Sequence, residues 1–171
     1  MQEIQYKYGF SKIKLKYARG IIEYRGKTIQ EMEITGFGVG IMDNTGNTGG
    51  LIGYAIRKKN MANIPKTPDK NFELETLGKH RLSRIVQLII GYKKPHEEKV
   101  RGLYIPLNIN DPVCMDFLTR FKQDMRSKYI GVGNYHLVSK ELKISHKIFL
   151  IIFAFILIFI TAVSIFATIE A

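Results

Sequence analysis

Apolar and polar residues alternate along much of the chain, and the period of that alternation reports the elements. Lys12, Ile13, Lys14, Leu15, Lys16 and Tyr17 alternate strictly, which predicts a strand that buries Ile13, Leu15 and Tyr17 and turns three lysines outward. Gly20 to Tyr24 and Lys27 to Ile34 keep the two-residue period on either side of Arg25-Gly26, the pattern of a hairpin. Met32 and Ile34 carry it on toward Gly36 to Met42, where Phe37, Val39 and Ile41 are separated by Gly36, Gly38 and Gly40. A strand whose alternate positions are glycine is approached closely on that face by another backbone, or bends. The glycine spacing is not that of a dinucleotide-binding loop: the third follows the second by two residues, and a turn-rich DNTGNTGG stretch follows instead of a helix. Leu51 to Ile56 is the expected return strand. Arg57 to Arg81 is a long polar loop with room for a short element near Phe72 to Leu77. Leu82 to Tyr92 and Val100 to Leu107 flank a polar KKPHEEK turn and predict the strongest hairpin of the chain.

The period then lengthens. Asp111 is placed to cap free backbone N–H groups and Pro112 suits the first helical position, so a helix is expected from Pro112 to about Lys128. Val113, Phe117 and Phe121, with Cys114, Leu118 and Met125 beside them, give it one apolar stripe to lay on a sheet. Cys114 falls on that stripe with no base nearby in sequence, which makes it a packing residue rather than a nucleophile. Gly131 and Gly133 are expected to end the domain, leaving 131–147 as a basic juxtamembrane linker. From Ile148 to Ile169 the run is predominantly apolar and holds no ionisable side chain. As a helix this run reaches about 33 Å, enough to cross a hydrocarbon core of about 30 Å.

Charge orients that span. Lys140, Lys143 and Lys147 lie just before it, Arg126 and Lys128 somewhat earlier, and no Lys or Arg follows, so the N-terminal side is expected in the cytoplasm and the C-terminus on the opposite side. No leading apolar segment with a cleavage site opens the chain, and the expected topology is a tail-anchored, single-pass membrane protein. A lone cysteine agrees with a reducing compartment. Glu170 is the only charged residue after Lys147, so residues 1–147 hold all 26 basic side chains against 14 of the 15 acidic ones, a balance of +12. Such charge beside a membrane is drawn to anionic headgroups. Lys12, Lys14 and Lys16 from the alternating strand, with Lys140, Lys143 and Lys147 from the flank, are the candidate anionic-lipid contacts. The basic residues are spread out, and no helix concentrates them with side chains that read base edges, which argues against nucleic acid. His80, His96, His136 and His146 are scattered without metal-ligand spacing, and there is no phosphate loop or nucleophile elbow. The sequence therefore nominates no catalytic residue, cofactor or metal.

Seven strands followed by one amphipathic helix, with the segment GIIEYRGKTIQEMEITGFGVGI among the early strands, resemble the pleckstrin-homology-like fold of small membrane-associated bacterial proteins. The resemblance covers about Phe10 to Lys128. It implies a mainly β, α+β domain, a partial barrel or sandwich closed by its C-terminal helix, with Phe117 or Phe121 in the packing role that a tryptophan fills in eukaryotic members. The family's phosphoinositide-binding motif between the first two strands has no counterpart here, because Arg19 and Gly20 leave too short a connection. The sequence thus predicts a cytoplasmic domain over 1–130, the linker and a membrane helix over 148–169. The expected work is binding: to the anionic membrane surface, or, as the alternative, to a protein partner as a membrane-tethered scaffold. A membrane-proximal enzyme is the third alternative.

Overall fold

The computed structural model describes residues 1–42, 64–74 and 86–144, and the structural statements below concern these. Eight strands form two four-stranded sheets. The first is an antiparallel meander of β1 (Gln2–Tyr8), β2 (Ser11–Ala18), β3 (Ile21–Tyr24) and β4 (Lys27–Gln30). Its tight turns follow from local chemistry. Gly9, at φ +57°, takes the left-handed first position of the β1–β2 turn, and Arg25 and Gly26, at φ +50° and +72°, make the β3–β4 turn; both geometries match the twist of the flanking strands.

The second sheet has the order β7 (Arg101–Leu107), β6 (Val86–Tyr92), β5 (Ile34–Ile41), β8 (Tyr129–Asn134), antiparallel except that β5 and β8 run parallel. Between β7 and β8 lies α1 (Pro112–Asp124), capped as expected: the Asp111 carboxylate accepts from the N–H of Val113 at 3.0 Å and of Cys114 at 3.4 Å. The inner faces of both sheets and α1 share one core. Phe121 joins the layers, its ring centroid 4.7 Å from Phe37 of β5 and 5.5 Å from Tyr17 of β2, and Tyr17 in turn donates a 2.6 Å hydrogen bond to Asp124. Edge-on ring contacts of this kind add about 0.5–1.5 kcal/mol each beyond area burial.

The other face of the second sheet is covered by α2 (Tyr135–Glu141), and here the glycines of β5 find their use. A Cβ on Gly40 would meet the Tyr135 backbone, one on Gly38 would meet Val138, and one on Gly36 would meet Leu142. Helical residues three and four apart thus settle onto strand residues two apart. About 1.5 Å of rise per helical residue and about 3.3 Å per strand residue bring the two repeats close to step. The close approach expected at the glycine face is this helix.

Several expectations are borne out: the outward lysines of β2, the Arg25-Gly26 hairpin, the β6–β7 hairpin and the burial of Cys114. Others are corrected. Gln2–Tyr8 is a strand, with Ile4 and Tyr6 buried. The strand from Lys27 ends at Gln30, since a 3₁₀ turn at Glu31–Glu33 carries the chain from one sheet to the other. The helix ends at Asp124 before a second 3₁₀ turn at Arg126–Lys128, and Val113 lies outside its buried stripe. The domain does not end at residue 130, and 131–144 is not a linker. Val132 of β8 exchanges backbone hydrogen bonds with Asp69, while Val138, Leu142 and Ile144 are buried against the sheet. The architecture is mainly β with two helices rather than one. The expected Leu51–Ile56 strand and the Ile148–Ile169 membrane helix lie outside the described residues; among those described, no helix is long and apolar enough to cross a membrane.

Candidate functional site

The strand directions give the body two distinguishable ends. At one lie the Gly9-Phe10 turn, Leu107 and the start of α1, held together by Asn108 donating to the Lys7 carbonyl at 2.7 Å and by Tyr6 donating to the Pro106 carbonyl at 2.7 Å. At the other lie the Arg19-Gly20 turn, the 3₁₀ turn at Glu31–Glu33, the Lys93–Val100 loop, the turn at Arg126–Lys128 and the close of α2. Contacts between them include Glu31 N–H to the Gly20 carbonyl at 2.6 Å, Lys93 N–H to the Glu33 carbonyl at 2.8 Å, and the Lys128 ammonium to the Glu31 carbonyl.

The path of the chain at this second end is fixed by the way α2 stops. Leu142 caps it, Lys143 takes the left-handed conformation at φ +52°, and the Ile144 N–H reaches back to the Ser139 carbonyl at 3.0 Å. That six-residue loop is the Schellman closure, usually made with glycine where Lys143 stands. It lays Ile144 over Gly102 and Leu142 over Gly36 and Gly91, three glycines in neighbouring strands. Gly102, Gly91 and Gly36 together form a shallow seat across the sheet, and Ile144, the last described residue, rests on it; this end of the body is termed the exit end.

The six candidate lysines do not come together. Lys12, Lys14 and Lys16 project from the outer face of the first sheet. Lys16 stands opposite Glu3 and Glu23 in register and pairs with Glu23 at 3.2 Å, which largely cancels its field; Lys12 faces Lys7, with no opposite charge across the strand pair. Lys140 and Lys143 are exposed on the far side of the second sheet, at the exit end, with the whole core between them and the β2 lysines. Lys147 lies outside the described residues. Sequence reading missed that Lys93 and Lys94 lie at the same end of the body as Lys140 and Lys143; the pair read as ordinary turn material. Arg126 and Lys128, counted with the basic flank ahead of the apolar run, lie at this end too.

Two open depressions flank Met32 at this end. One, of about 540 Å³, is lined by Met32, Thr35 and the Lys93–Glu98 loop; the other, of about 530 Å³, by Met32, Gln30, Glu31, Gly20, Ile21 and Lys128. Neither encloses a small molecule. Among the described residues no three His, Cys, Asp or Glu side chains converge to hold a metal ion. Burial pushes the Cys114 thiol up to about 11, only partly offset by the Asn108 N–H that donates to its sulfur at 3.3 Å, so at neutral pH it is a protonated packing group. Burial likewise raises the Tyr6 and Tyr17 phenols.

Compared with family models, curated proteins and solved structures, the chain shows no match. The functional reading therefore rests on the geometry of the exit end and the sequence that follows it.

Proposed function

We propose that this protein is a membrane-anchored binding module, held by the apolar run 148–169 with its folded body in the cytoplasm and its exit end set against the anionic face of that membrane. One observation carries the reading. The described residues end at Ile144, at the same end of the body as Lys93, Lys94, Lys128, Lys140 and Lys143, and only Ser145, His146 and Lys147 separate it in sequence from the apolar run. Four residue steps reach about 14 Å at full extension. The outer face of the first sheet lies about 20 Å from the α2 layer, taking about 10 Å for each layer spacing. The tether is too short for that face to turn onto the same bilayer, so Lys140 and Lys143 are retained as lipid contacts and Lys12, Lys14 and Lys16 are not. Each basic residue close to the surface adds about 1 kcal/mol, and anchoring makes weak contacts effective. The same reading takes residues 1–124 as a pleckstrin-homology-like body. The order of a four-stranded meander, three antiparallel strands and a helix supports it, with β8 and α2 as additions.

The test is amine labelling of the full chain in vesicles, read by mass spectrometry. Lys93, Lys94, Lys140 and Lys143 should be protected in bilayers containing phosphatidylserine, and exposed in phosphatidylcholine alone or at high salt, while Lys12 and Lys14 react equally in all. Uniform reactivity of all six would overturn the reading. Phe10, fully exposed on its turn at the opposite end, supports the second reading, a membrane-tethered scaffold for a protein partner. Crosslinking in intact membranes that captures a partner from wild type but not from Phe10→Ser would favour it.

A further inference from the structure

We propose that Met32 is an interfacial wedge: with Ile21 beside it, it enters the headgroup–acyl boundary of the anionic bilayer that the C-terminal segment crosses. The inference rests on the exit-end reading and goes beyond charge. Met32 is 82% exposed and Ile21 37%, side by side on the rim of the second depression. Nothing in the fold requires an apolar residue at position 32. The alternation that would have buried it is broken by the 3₁₀ turn, which is held by the Glu33 carboxylate accepting from the Gln30 N–H at 2.9 Å, and Met32 points outward at its apex.

The surroundings specify the occupant. Lys93 and Lys94 border Met32 on one side and Lys128 on the other. Among the described residues neither Lys93 nor Lys94 makes an ion pair: Glu97 is engaged by Arg101 at 2.6 Å, Glu33 is turned to the Gln30 backbone, and Glu98, which lines the same depression, pairs with neither. An apolar tip flanked by two ammonium groups without an ion-pair partner, at the end that also carries Arg126, Lys128, Lys140 and Lys143 and whose last described residue precedes an apolar segment in sequence, is complementary to a surface with phosphates outside and methylenes within. A flexible thioether side chain tolerates that boundary without a shaped pocket.

The experiment uses the full chain in vesicles of equal parts phosphatidylcholine and phosphatidylserine. An environment-sensitive dye is placed on Met32→Cys, Lys93→Cys or Phe10→Cys, with the unsubstituted protein as control for buried Cys114. Nitroxides on the headgroup or on an upper acyl carbon serve as quenchers. The acyl nitroxide should quench the Met32 dye several-fold more strongly than the Lys93 dye, and the Phe10 dye should escape both. Quenching of positions 32 and 93 by the headgroup nitroxide alone would overturn the wedge and leave the exit-end reading standing. Quenching at Phe10, or at none of the three, would overturn both. Because a dye can itself draw a site into lipid, unlabelled Met32→Gln and Met32→Leu are compared by amine protection of Lys93. In the phosphatidylserine vesicles at low salt Gln should lower that protection several-fold and Leu should keep it; equal protection in both would count against the wedge.

Discussion

Gly38→Ala tests whether the seating of α2 on β5 is as tight as the geometry implies. A Cβ at position 38 would lie 2.8 Å from the Gly131 carbonyl oxygen, 2.9 Å from Ile130 Cγ1 and 3.0 Å from Val138 Cγ1. The first is backbone of the neighbouring parallel strand, so relief requires β8 to move from β5 or α2 to lift. Overpacking of this kind costs about 1–3 kcal/mol, and the restricted unfolded chain of alanine returns about 0.4–1 kcal/mol, leaving a net loss of about 1–2 kcal/mol. Gly36→Ala is the internal control. Its Cβ meets only the end of the Leu142 side chain inside 3.0 Å, with the Lys128 carbonyl at an ordinary 3.5 Å, and a leucine can rotate away. Its net effect should stay within about 1 kcal/mol. Thermal unfolding of the full chain in micelles, followed by the near-ultraviolet signal of its tyrosines, should show Gly38→Ala melting about 3–8 °C below wild type and Gly36→Ala close to it. Equal melting of the two variants, or a larger loss for Gly36→Ala, would refute the close-approach argument.

Ending the chain after Ile144 should leave a soluble, folded body, whereas ending it after Ile130 strips most of β8 and all of α2 from the glycine face and should give aggregates; solubility and proteolysis of the two products check this. Lys143→Gly should raise the melting temperature, since it relieves a left-handed residue worth about 1–2 kcal/mol, while weakening salt-sensitive amine protection at Lys140. Stability should fall as pH rises from 9 to 11. The Cys114 thiol ionises near 9 in the unfolded chain and near 11 in the fold, so the unfolded state binds fewer protons across that window. Cys114 accounts for about 2 kcal/mol of the loss between these two pH values, so Cys114→Ala should show a smaller one in urea titrations at pH 9 and 11.

The legibility of the fold followed the strength of local pattern. β2, the Arg25-Gly26 hairpin, β6 with β7, and the Asp111-Pro112 helix start each carry a period or a cap that needs no partner to be recognised. β1 alternates through Ile4, Tyr6 and Tyr8, but with charges interspersed that short pattern is too weak to predict a strand. β8 and α2 were hidden for a related reason: glycine usually ends elements, and at positions 131 and 133 it instead admits backbone, with Asp69 lying where a Gly131 Cβ would be. Tyr135, Val138 and Leu142 have helical spacing, yet the stretch is short and rich in polar residues, and only the β5 glycines opposite make it cohere. At the candidate site, sequence adjacency to the apolar run identified Lys140 and Lys143. Lys128 belongs to the same flank farther back, whereas Lys93, Lys94 and Met32 join them through topology alone, and Lys12 and Lys14 are separated from them by the same topology.

The height of the Phe10 turn above the bilayer tests the central claim most directly. β7 spans about 20 Å between the two ends, and the Gly9-Phe10 turn projects beyond it, so with the exit end on the membrane this turn stands about 20–30 Å above the headgroups. Energy transfer from a donor on Phe10→Cys to acceptor lipids, with a donor on Lys143→Cys as reference in the same vesicles, measures that height. The account predicts strong transfer from position 143 and weak transfer from position 10. Equal transfer from the two, or stronger transfer from position 10, would contradict it.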